Sequence, residues 1–373
     1  MKNNMSTIST CIIVKNEINN LPGLVDDLRQ FSDEIIIVDT GSDDGTAEWL
    51  QEHQDDVLKY EHFDWVQHFA KARNYSFSKA TKDWVFWCDA DDRISERLIN
   101  DLKEAKTKID SLDYNCHYIN YQFGTNVFVP RIRLLKRSDE PYWTGACHEY
   151  VFLRNEVKAS YDVFDQEKSL IIHQREQGHP ARNLPIFINT ILRTPLLEEV
   201  SGRDMFYYSS ELRDNGYLDK ARDVAKICLS MPDMCLFDSW NAIIYTLGDY
   251  WQSNKDTAME GIHYINEFIK QFDAMRGDVW YLLGALYCLI GDGDNHLKCC
   301  QRALDTEVKD ILKYCEHTAY SKIFPAMDIY INTEDKKVKM RMIDHLEKYQ
   351  DEQEVQNFFK EHKIKVIRGN KKK

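Results

Sequence analysis

The chain has 373 residues, of which 43% are hydrophobic and 29% charged, as in a globular protein large enough for two domains. Lys and Arg number 48 against 61 Asp and Glu, so the net charge is -13, which disfavours broad binding to nucleic acid. No apolar run approaches the roughly 20 residues of a membrane-spanning helix, and the stretch before Lys15 is too short for a signal peptide. We therefore expect a cytoplasmic protein without a membrane span, whose ten scattered cysteines are reduced.

The first half of the chain alternates between strand and helix patterns. Short β-branched or aromatic runs predict buried strands at 8–14, 34–38, 57–60 and 84–88. Helical patterns lie between them, and the first begins at Asn19 and Asn20, which are typical helix caps. This alternation predicts an α/β domain with a mostly parallel sheet flanked by helices, completed by mixed strands between 118 and 172.

The second half is predicted to be an all-α helical-repeat domain. Segments 206–225 and 280–303 share a spacing of aromatic, Gly and Ala residues that resembles tetratricopeptide repeats, although an ordinary helical bundle is the alternative. The predicted domains are therefore 1–185 and 186–365, followed by a basic, flexible tail at 366–373. The helical domain also offers a surface for a homodimer. His296 beside Cys299 and Cys300 resembles half of a zinc site, but the sequence shows no second half.

Acidic residues follow two of the predicted strands. Ligands bind at the carboxyl ends of the strands in open parallel sheets, and here these ends carry Asp39 and Asp89. Neither a P-loop nor a GxGxxG segment follows the first strand, so the usual phosphate-binding glycine patterns are absent from the sequence. A carboxylate-based site is expected instead.

Asp89-Ala90-Asp91-Asp92 is the clearest chemical motif. Two carboxylates separated by one residue can bind a hard divalent cation, and such a cation can neutralise a diphosphate. The alternative is structural, because Asp92 could cap the helix that the following residues predict.

Four segments together resemble family 2 glycosyltransferases of the GT-A fold. They occur in the family's order within residues 5–185, about half the chain, and read TCIIVKNE at 10–17, IIVDTGSDDGT at 36–46, ARN at 72–74 and WVFWCDADD at 84–92. The resemblance implies a nucleoside-diphosphate sugar donor, with UDP as the usual nucleotide, and Mn²⁺ or Mg²⁺ as cofactor.

The resemblance also assigns roles to single residues. Asp39 matches the carboxylate that binds the nucleobase, and Arg73 matches an arginine near the donor. Asp89 and Asp91 match the DxD motif, with Asp91 as the direct metal ligand and Asp89 contributing to both donor and metal. Glu17 closes the first motif and is assigned to the donor site.

Two later segments, PRIRLL at 130–135 and WTGACHE at 143–149, resemble a subset of the family. In that subset a Trp-x-Gly-x-x-His-Glu sequence closes the acceptor side. An inverting transferase needs a base to take the acceptor proton, and Glu149 is the candidate. Other family members carry the base in a Glu-Asp pair, which is not found at this place. His148 is expected to orient the acceptor or the phosphate of the donor, with an ordinary hydrogen-bonded histidine as the alternative. His173 follows an apolar run and is a candidate metal ligand, with an ordinary structural role as the alternative.

The sequence therefore predicts an inverting, metal-dependent glycosyltransferase. A GT-A domain followed by helices resembles the bacteriocin S-glycosyltransferases and lipopolysaccharide-core transferases, which implies a peptide, protein or saccharide acceptor. The alternatives are a phage-type enzyme that glycosylates modified DNA, which the net charge of -13 disfavours, and a scaffold with a degenerate transferase domain. A sugar-phosphate nucleotidyltransferase would require a glycine-rich loop after the first strand, where Lys15-Asn16-Glu17 stands instead.

Overall fold

The protein divides into two units, Met1–Glu199 and Val200–Lys373. The computed structural model describes residues 5–123, 127–161, 163–165, 168–174, 182–193, 200–231, 233, 236–272, 276–306 and 319–364. The predicted domain boundary after residue 185 is moved, because it would cut a helix, Leu184–Arg193, that belongs to the first unit. The predicted tail at 366–373 lies outside the described residues.

The strands of the first unit begin close to where the sequence predicts them. They are β1 (Ile8–Val14), β2 (Glu34–Asp39), β3 (Leu58–His62), β4 (Trp84–Trp87), β5 (Asp92–Ile94), β6 (Cys116–Phe123), β7 (Val127–Lys136), β8 (Tyr142–Thr144), β9 (Tyr150–Phe152), β10 (Ala159–Ser160) and β11 (Leu170–His173). β8 and β9 form a separate two-stranded sheet, and the other described strands join one large sheet.

The large sheet is mixed and places several loops at one edge. Its strand order is β3-β2-β1-β4-β7-β6-β11-β5, with β10 beside β6. β1, β2, β3 and β4 run parallel, whereas β7 pairs antiparallel with β4 and β6. The segments that follow β1, β2 and β4 therefore leave the sheet at the same edge, as the alternating sequence pattern predicts.

Helices cover both faces of this sheet. They are α1 (Leu21–Leu28), α2 (Thr46–Glu52), α3 (Phe69–Ser78), α4 (Glu96–Ala105) and α5 (Leu184–Arg193). One core contains the apolar stripes of α1 and α4, and another contains Ala70 and Phe77 of α3, so the sheet is buried from two sides. Two expected caps are wrong. Asn20 makes no side-chain cap at α1, and α4 is capped by Ser95 rather than by Asp92, which lies in β5.

The second unit is helical throughout its described residues. Its α-helices are α6 (Gly202–Asp214), α7 (Leu218–Leu229), α8 (Leu236–Asn241), α9 (Gly248–Trp251), α10 (Lys255–Phe272), α11 (Gly277–Ile290), α12 (Gly293–Asp305), α13 (Phe324–Asn332), α14 (Lys336–Leu346) and α15 (Gln353–Glu361). Wider turns of the π type occupy Ala242–Leu247 and Ala319–Ile323. Among the described helices of both units, none combines the length and apolar character needed to span a bilayer.

The two predicted repeat segments form two helix pairs with a common turn. α6 leads to α7 through Gly216 at φ +82°, and α11 leads to α12 through Gly291 at φ +92°. This left-handed conformation favours glycine, so the glycines that suggested a repeat perform the same task in both pairs. In the second pair a Cβ on Gly284 would lie 3.1 Å from the Cβ of Cys299, which explains the small residue there.

Candidate active site

A cavity of about 390 Å³ lies in the first unit at the edge where β1 and β4 end. Seven of the eight site residues predicted from the sequence line it: Glu17, Arg73, Asp89, Asp91, His148, Glu149 and His173. These residues are spread over more than 150 positions of the chain and come together because parallel strands deliver their following loops to one edge. The cavity wall carries carboxylates, cations and aromatic rings, with Phe69, Trp87 and Trp143 among the latter.

Arg73 joins two of the predicted carboxylates. Its Nε donates to Glu149 Oε1 at 2.6 Å and its Nη2 donates to Asp89 Oδ1 at 2.6 Å. The guanidinium is buried and lies 4.9 Å and 4.8 Å from the ring centroids of Trp87 and Trp143. Burial opposes its charge, but the two carboxylates outweigh that effect and raise the pKa of Arg73.

Asn74 fixes the wall of the cavity next to Arg73. Its Nδ2 donates to the carbonyl of Trp143 at 2.9 Å, and its Oδ1 accepts from the Trp143 backbone N–H at 2.7 Å. The Ala-Arg-Asn motif therefore does two things from one helix. Arg73 reaches the carboxylates while Asn74 holds β8, whose Trp143 packs on the guanidinium.

Sequence reasoning missed Arg133, a fully buried arginine on β7. Its guanidinium carbon lies 3.6 Å from the ring centroid of Trp87 and 4.5 Å from that of Tyr121, and its Nη2 lies 3.9 Å from Asp89 Oδ2. Nη1 donates to the Trp87 carbonyl at 3.5 Å, whereas Nε and Nη2 have no hydrogen-bond partner. The sequence signals were the resemblance of the segment 130–135 to part of the family, which assigned Arg133 no role, and a cation inside the apolar run at 132–135.

The two arginines determine the charge state of Asp89. Burial disfavours the charged carboxylate, but the positive charges of Arg73 and Arg133 prevail and hold the pKa of Asp89 well below its usual range. Charges of alternating sign therefore run through Arg133, Asp89, Arg73 and Glu149. Such a chain fixes the direction in which each carboxylate points.

Asp91, Asp92 and His173 form a group that could hold a metal ion. Each offers a ligand atom within 4.8 Å of the others, and His173 Nδ1 lies 3.7 Å from Asp91 Oδ1 and 3.3 Å from Asp92 Oδ1. The antiparallel pairing of β5 with β11 sets His173 opposite Asp92 and explains the contact. Two carboxylates and one imidazole form a donor set that suits Mn²⁺.

Asp92, the residue after Asp91, therefore contributes to the cluster, which the sequence did not predict. Asp92 is fully buried, accepts from the Asp89 backbone N–H at 2.8 Å and from the Tyr121 hydroxyl at 2.8 Å. Burial, followed by the charge of Asp89, raises the pKa of Asp92. The hydrogen bond to Asp92 raises the pKa of His173, with the charge of Asp91 adding to it, although burial acts in the opposite direction.

Asp39 is the predicted site residue that does not line the cavity. Its buried carboxylate accepts from the backbone N–H of Gly41 at 3.2 Å and from the Ser42 hydroxyl at 2.5 Å. His62 Nδ1 lies 3.7 Å away on the neighbouring strand. The structure therefore places Asp39 at the carboxyl end of β2 with its own loop wrapped around it.

His148 and Glu149 share a tight loop between β8 and β9. His148 has a φ of +51°, a left-handed conformation that costs energy for a residue other than glycine, and its ring lies 6.2 Å from the Phe187 ring at 18°. Glu149 follows directly and is held by Arg73. Strain of this kind occurs where the surrounding contacts fix a functional conformation.

Asp328 lies beside His296 and Cys300 of the zinc half-site that the sequence suggests in the second unit. His296, Cys300 and Asp328 offer ligand atoms within 4.8 Å of one another, and His296 Nδ1 contacts the Gly284 carbonyl at 3.0 Å. The sulfur of Cys300 lies 3.9 Å from one ring nitrogen and 3.8 Å from the other. It therefore lies beside the imidazole, off the axis of either nitrogen, and the arrangement is that of a packed histidine.

The sequence resembles known proteins over part of its length. Residues 9–157 match the family described as Glycosyl transferase family 2. A TPR repeat-containing protein of Synechococcus elongatus is 29% identical over 147 residues, which are 39% of this chain and 36% of that protein. Glycosyltransferase SunS of Bacillus phage SPbeta is 25% identical over 151 residues, which are 40% of this chain and 35% of that protein. These matches span about a third of each curated relative's length.

A solved structure also resembles the chain. The crystal structure of S. aureus TarS 1-349 in complex with UDP-GlcNAc is 15% identical and has a TM-score of 0.39, covering 82% of this chain and 94% of that one.

Proposed function

We propose that this chain, whose residues 9–157 form a family 2 glycosyltransferase domain of the GT-A fold, transfers a sugar from a UDP-sugar to a saccharide or peptide acceptor. One observation carries the proposal. Arg73 connects Glu149 to Asp89 beside the group of Asp91, Asp92 and His173, and all but Asp92 line the same cavity. A candidate base, an orienting cation and a candidate metal site therefore lie at one cavity.

The donor set at the metal site fits the proposed cofactor. Asp91, Asp92 and His173 would hold Mn²⁺, or Mg²⁺ with fewer ligands from the protein, because hard cations favour carboxylate oxygen. A divalent ion bound there supplies positive charge for the diphosphate leaving group. The assignment of Asp89 as a further ligand stays a prediction, since its oxygens face Arg73 and Arg133.

Glu149 is proposed as the base of an inverting displacement. The acceptor oxygen forms a bond to the anomeric carbon of the sugar from the face opposite the diphosphate. Its proton passes to the Glu149 carboxylate, and the electron pair of the broken carbon–oxygen bond leaves with the diphosphate. The ion pair with Arg73 points the Glu149 carboxylate in a fixed direction.

The remaining donor contacts are proposed from the family resemblance. Asp39 would bind the nucleobase after its loop contacts with Gly41 and Ser42 adjust. Glu17 and His148 line the cavity and would contact the ribose or the phosphates. Lys15 and Arg131 also line the cavity and supply positive charge that suits a diphosphate.

The acceptor is proposed as a saccharide, peptide or protein, in keeping with a helical second unit built from paired helices. A cytoplasmic location and a homodimer through the helical unit stay predictions of the sequence. Glycosylation of modified DNA and a non-catalytic scaffold are the alternatives, and each predicts a different result in the experiment below.

The test measures donor binding and donor turnover separately. Calorimetry with UDP, GDP and UDP-sugars, with and without Mn²⁺, is run on the wild type and on Asp91→Ala and Glu149→Gln. The wild type is expected to bind UDP-sugars in the presence of Mn²⁺ and to hydrolyse them slowly. Asp91→Ala should lose the effect of Mn²⁺ on binding, whereas Glu149→Gln should bind normally and turn over about 10² to 10⁴ times more slowly.

Each alternative would give its own pattern. A scaffold binds no nucleotide under any metal condition, which would overturn the proposal. Equal turnover by the wild type and Glu149→Gln would remove Glu149 from the role of base. Stimulation of turnover by duplex DNA containing a modified base, and not by peptides or saccharides, would favour the DNA-modifying alternative.

A further inference from the structure

A second cavity of about 350 Å³ adjoins the candidate active site. It shares Glu17 and Asp91 with the first cavity, so the two spaces meet at these residues. Its described lining residues all carry hydrogen-bonding side chains: Asn16, Glu17, Asn19, Asn20, Asp91 and Gln174. Four of the six are carboxamides, and neither an apolar nor a cationic side chain is among them.

The asparagines of this cavity do not serve the helix that follows them. Asn20 stands at the N-cap of α1, yet its side chain accepts no hydrogen bond from the helix backbone. Its Nδ2 donates instead to Glu17 Oε2 at 2.7 Å. The first turn of α1 is closed by backbone bonds to the Glu17 carbonyl. The carboxamides before α1 therefore need another explanation than capping.

The wall of the cavity is rigid. Asn16, at a φ of +57°, donates from Nδ2 to Asp43 Oδ1 at 2.7 Å and accepts from the Asp43 backbone N–H at 2.8 Å. The Glu17 backbone N–H donates to Thr46 Oγ1 at 3.0 Å, and that of Gln174 donates to the Asp91 carbonyl at 2.9 Å. A polar site held in advance loses little entropy when a ligand binds.

The lining selects a class of ligand. A carboxamide presents a donor and an acceptor together, which matches a hydroxyl group that can do the same. None of the described lining residues is cationic, which disfavours a phosphate or carboxylate as the ligand. The first cavity differs, because Lys15, Arg73 and Arg131 line it.

We infer that the second cavity binds a neutral sugar ring, so that the protein transfers or receives an uncharged sugar and discriminates against uronic acids and sugar phosphates. The inference rests on the proposed glycosyl transfer and adds the substrate class. Two sources share this chemistry, the sugar of the donor and a sugar of the acceptor. The cavity adjoins Asp91 in both cases.

The experiment truncates two exposed carboxamides of the cavity lining, which come from two different loops. The double variant Asn19→Ala/Gln174→Ala is compared with Gln51→Ala, an exposed carboxamide on α2 that lies outside both cavities. Calorimetry in Mn²⁺ uses UDP, UDP-glucose, UDP-N-acetylglucosamine and UDP-glucuronic acid. Saccharide binding is measured separately with maltose and cellobiose in the presence of UDP.

A donor-side site predicts that the double variant binds UDP as the wild type does. It should bind UDP-glucose and UDP-N-acetylglucosamine, whose sugars are uncharged, about tenfold more weakly. UDP-glucuronic acid should bind the wild type more weakly than UDP-glucose. An acceptor-side site predicts unchanged UDP-sugar affinity and loss of disaccharide binding. Gln51→Ala should match the wild type throughout.

Two results would overturn the inference while leaving the proposed function intact. They are wild-type preference for UDP-glucuronic acid, and full retention of sugar-dependent affinity in the double variant. Failure of the wild type to bind any nucleotide is a different result, because it removes the proposed function and the inference that rests on it.

Discussion

Arg133 carries its charge into the core of the first unit without the hydrogen bonds that usually accompany a buried guanidinium. Nε and Nη2 lack partners, and the side chain is fully buried between Trp87 and Tyr121. A buried ion of this kind is weak evidence for stability, since apolar replacements are often neutral or stabilising. Its contact with Asp89 Oδ2 at 3.9 Å suggests that the charge acts on the site instead.

We therefore expect Arg133→Met to separate stability from activity. The melting temperature should stay within a few degrees of the wild type or rise, whereas donor turnover should fall about 10²-fold because Asp89 and, through Arg73, Glu149 lose their alignment. Arg133→Lys keeps the charge and should recover part of the turnover. Thermal melts and donor hydrolysis check these expectations. A large loss of stability with turnover unchanged per folded molecule would assign Arg133 to folding alone.

His117 on β6 is a second buried group whose polar atoms lack partners. It is fully buried among Trp84, Tyr114 and Phe164, and neither ring nitrogen has a hydrogen-bond partner. Burial lowers the pKa of His117 from 6.5 to about 4. The unfolded chain therefore binds a proton between these two values and the folded chain does not, so stability falls as the pH drops through this window.

We expect His117→Phe to weaken this pH dependence. Wild-type stability should decrease by about 3 kcal/mol between pH 7 and pH 4 through this group alone, and the variant should lack that component. Urea unfolding at pH 7, 5.5 and 4.5 measures the difference. If the free energy of unfolding changed equally with pH in both proteins, His117 would be charged or hydrated in the folded state.

At the scale of whole elements, the two helix starts next to the active-site loops provide a matched pair. Ser95 caps α4 by accepting from the Leu98 backbone N–H at 3.3 Å, and Asn20 stands before α1 without such a bond. Ser95→Ala should lower stability by about 1 kcal/mol, whereas Asn20→Ala should change it by no more than a few tenths. Chemical unfolding of both variants tests this. Equal losses would mean that Asn20 caps α1 in solution.

The elements show how far sequence patterns determine this fold. β1 has its predicted bounds, because a short β-branched apolar run favours a strand that is buried on both faces. The helix caps were harder to predict from the sequence, because Asn20, Asp92 and Ser95 are all residue types that cap helices. The tertiary contacts of β5 determine which of them does so. The motifs at the strand ends predicted most of the cavity lining because topology alone brings them together.

The missed parts of the site depend on contacts that no local pattern encodes. Arg133 is recognisable only once β7 lies against β4, where Trp87 covers it. Asp92 joins the metal group through the register that pairs it with His173, 81 positions along the chain. Gln174 meets the asparagines of the β1–α1 loop only in the folded unit.

At the scale of the whole molecule, the two units have separate cores. Trp84 and Phe86 belong to a cluster in the first unit, whereas Trp240 and Trp251 belong to one in the second. Both described cavities, and every predicted catalytic and donor-site residue, belong to the first unit. A ligand at that site has differential affinity for the folded first unit only.

We therefore expect the thermal unfolding of the full chain to show two transitions, of which UDP with Mn²⁺ raises only one. At a nucleotide concentration of 100 times Kd the stabilisation should be about 2.7 kcal/mol, because a ligand that binds only the folded state shifts the unfolding equilibrium by mass action. Scanning calorimetry of the wild type and Asp91→Ala measures it, and the variant should lose the shift. If one transition contained both units and moved as a whole, the stability of the second unit would be coupled to ligand binding at the site in the first unit.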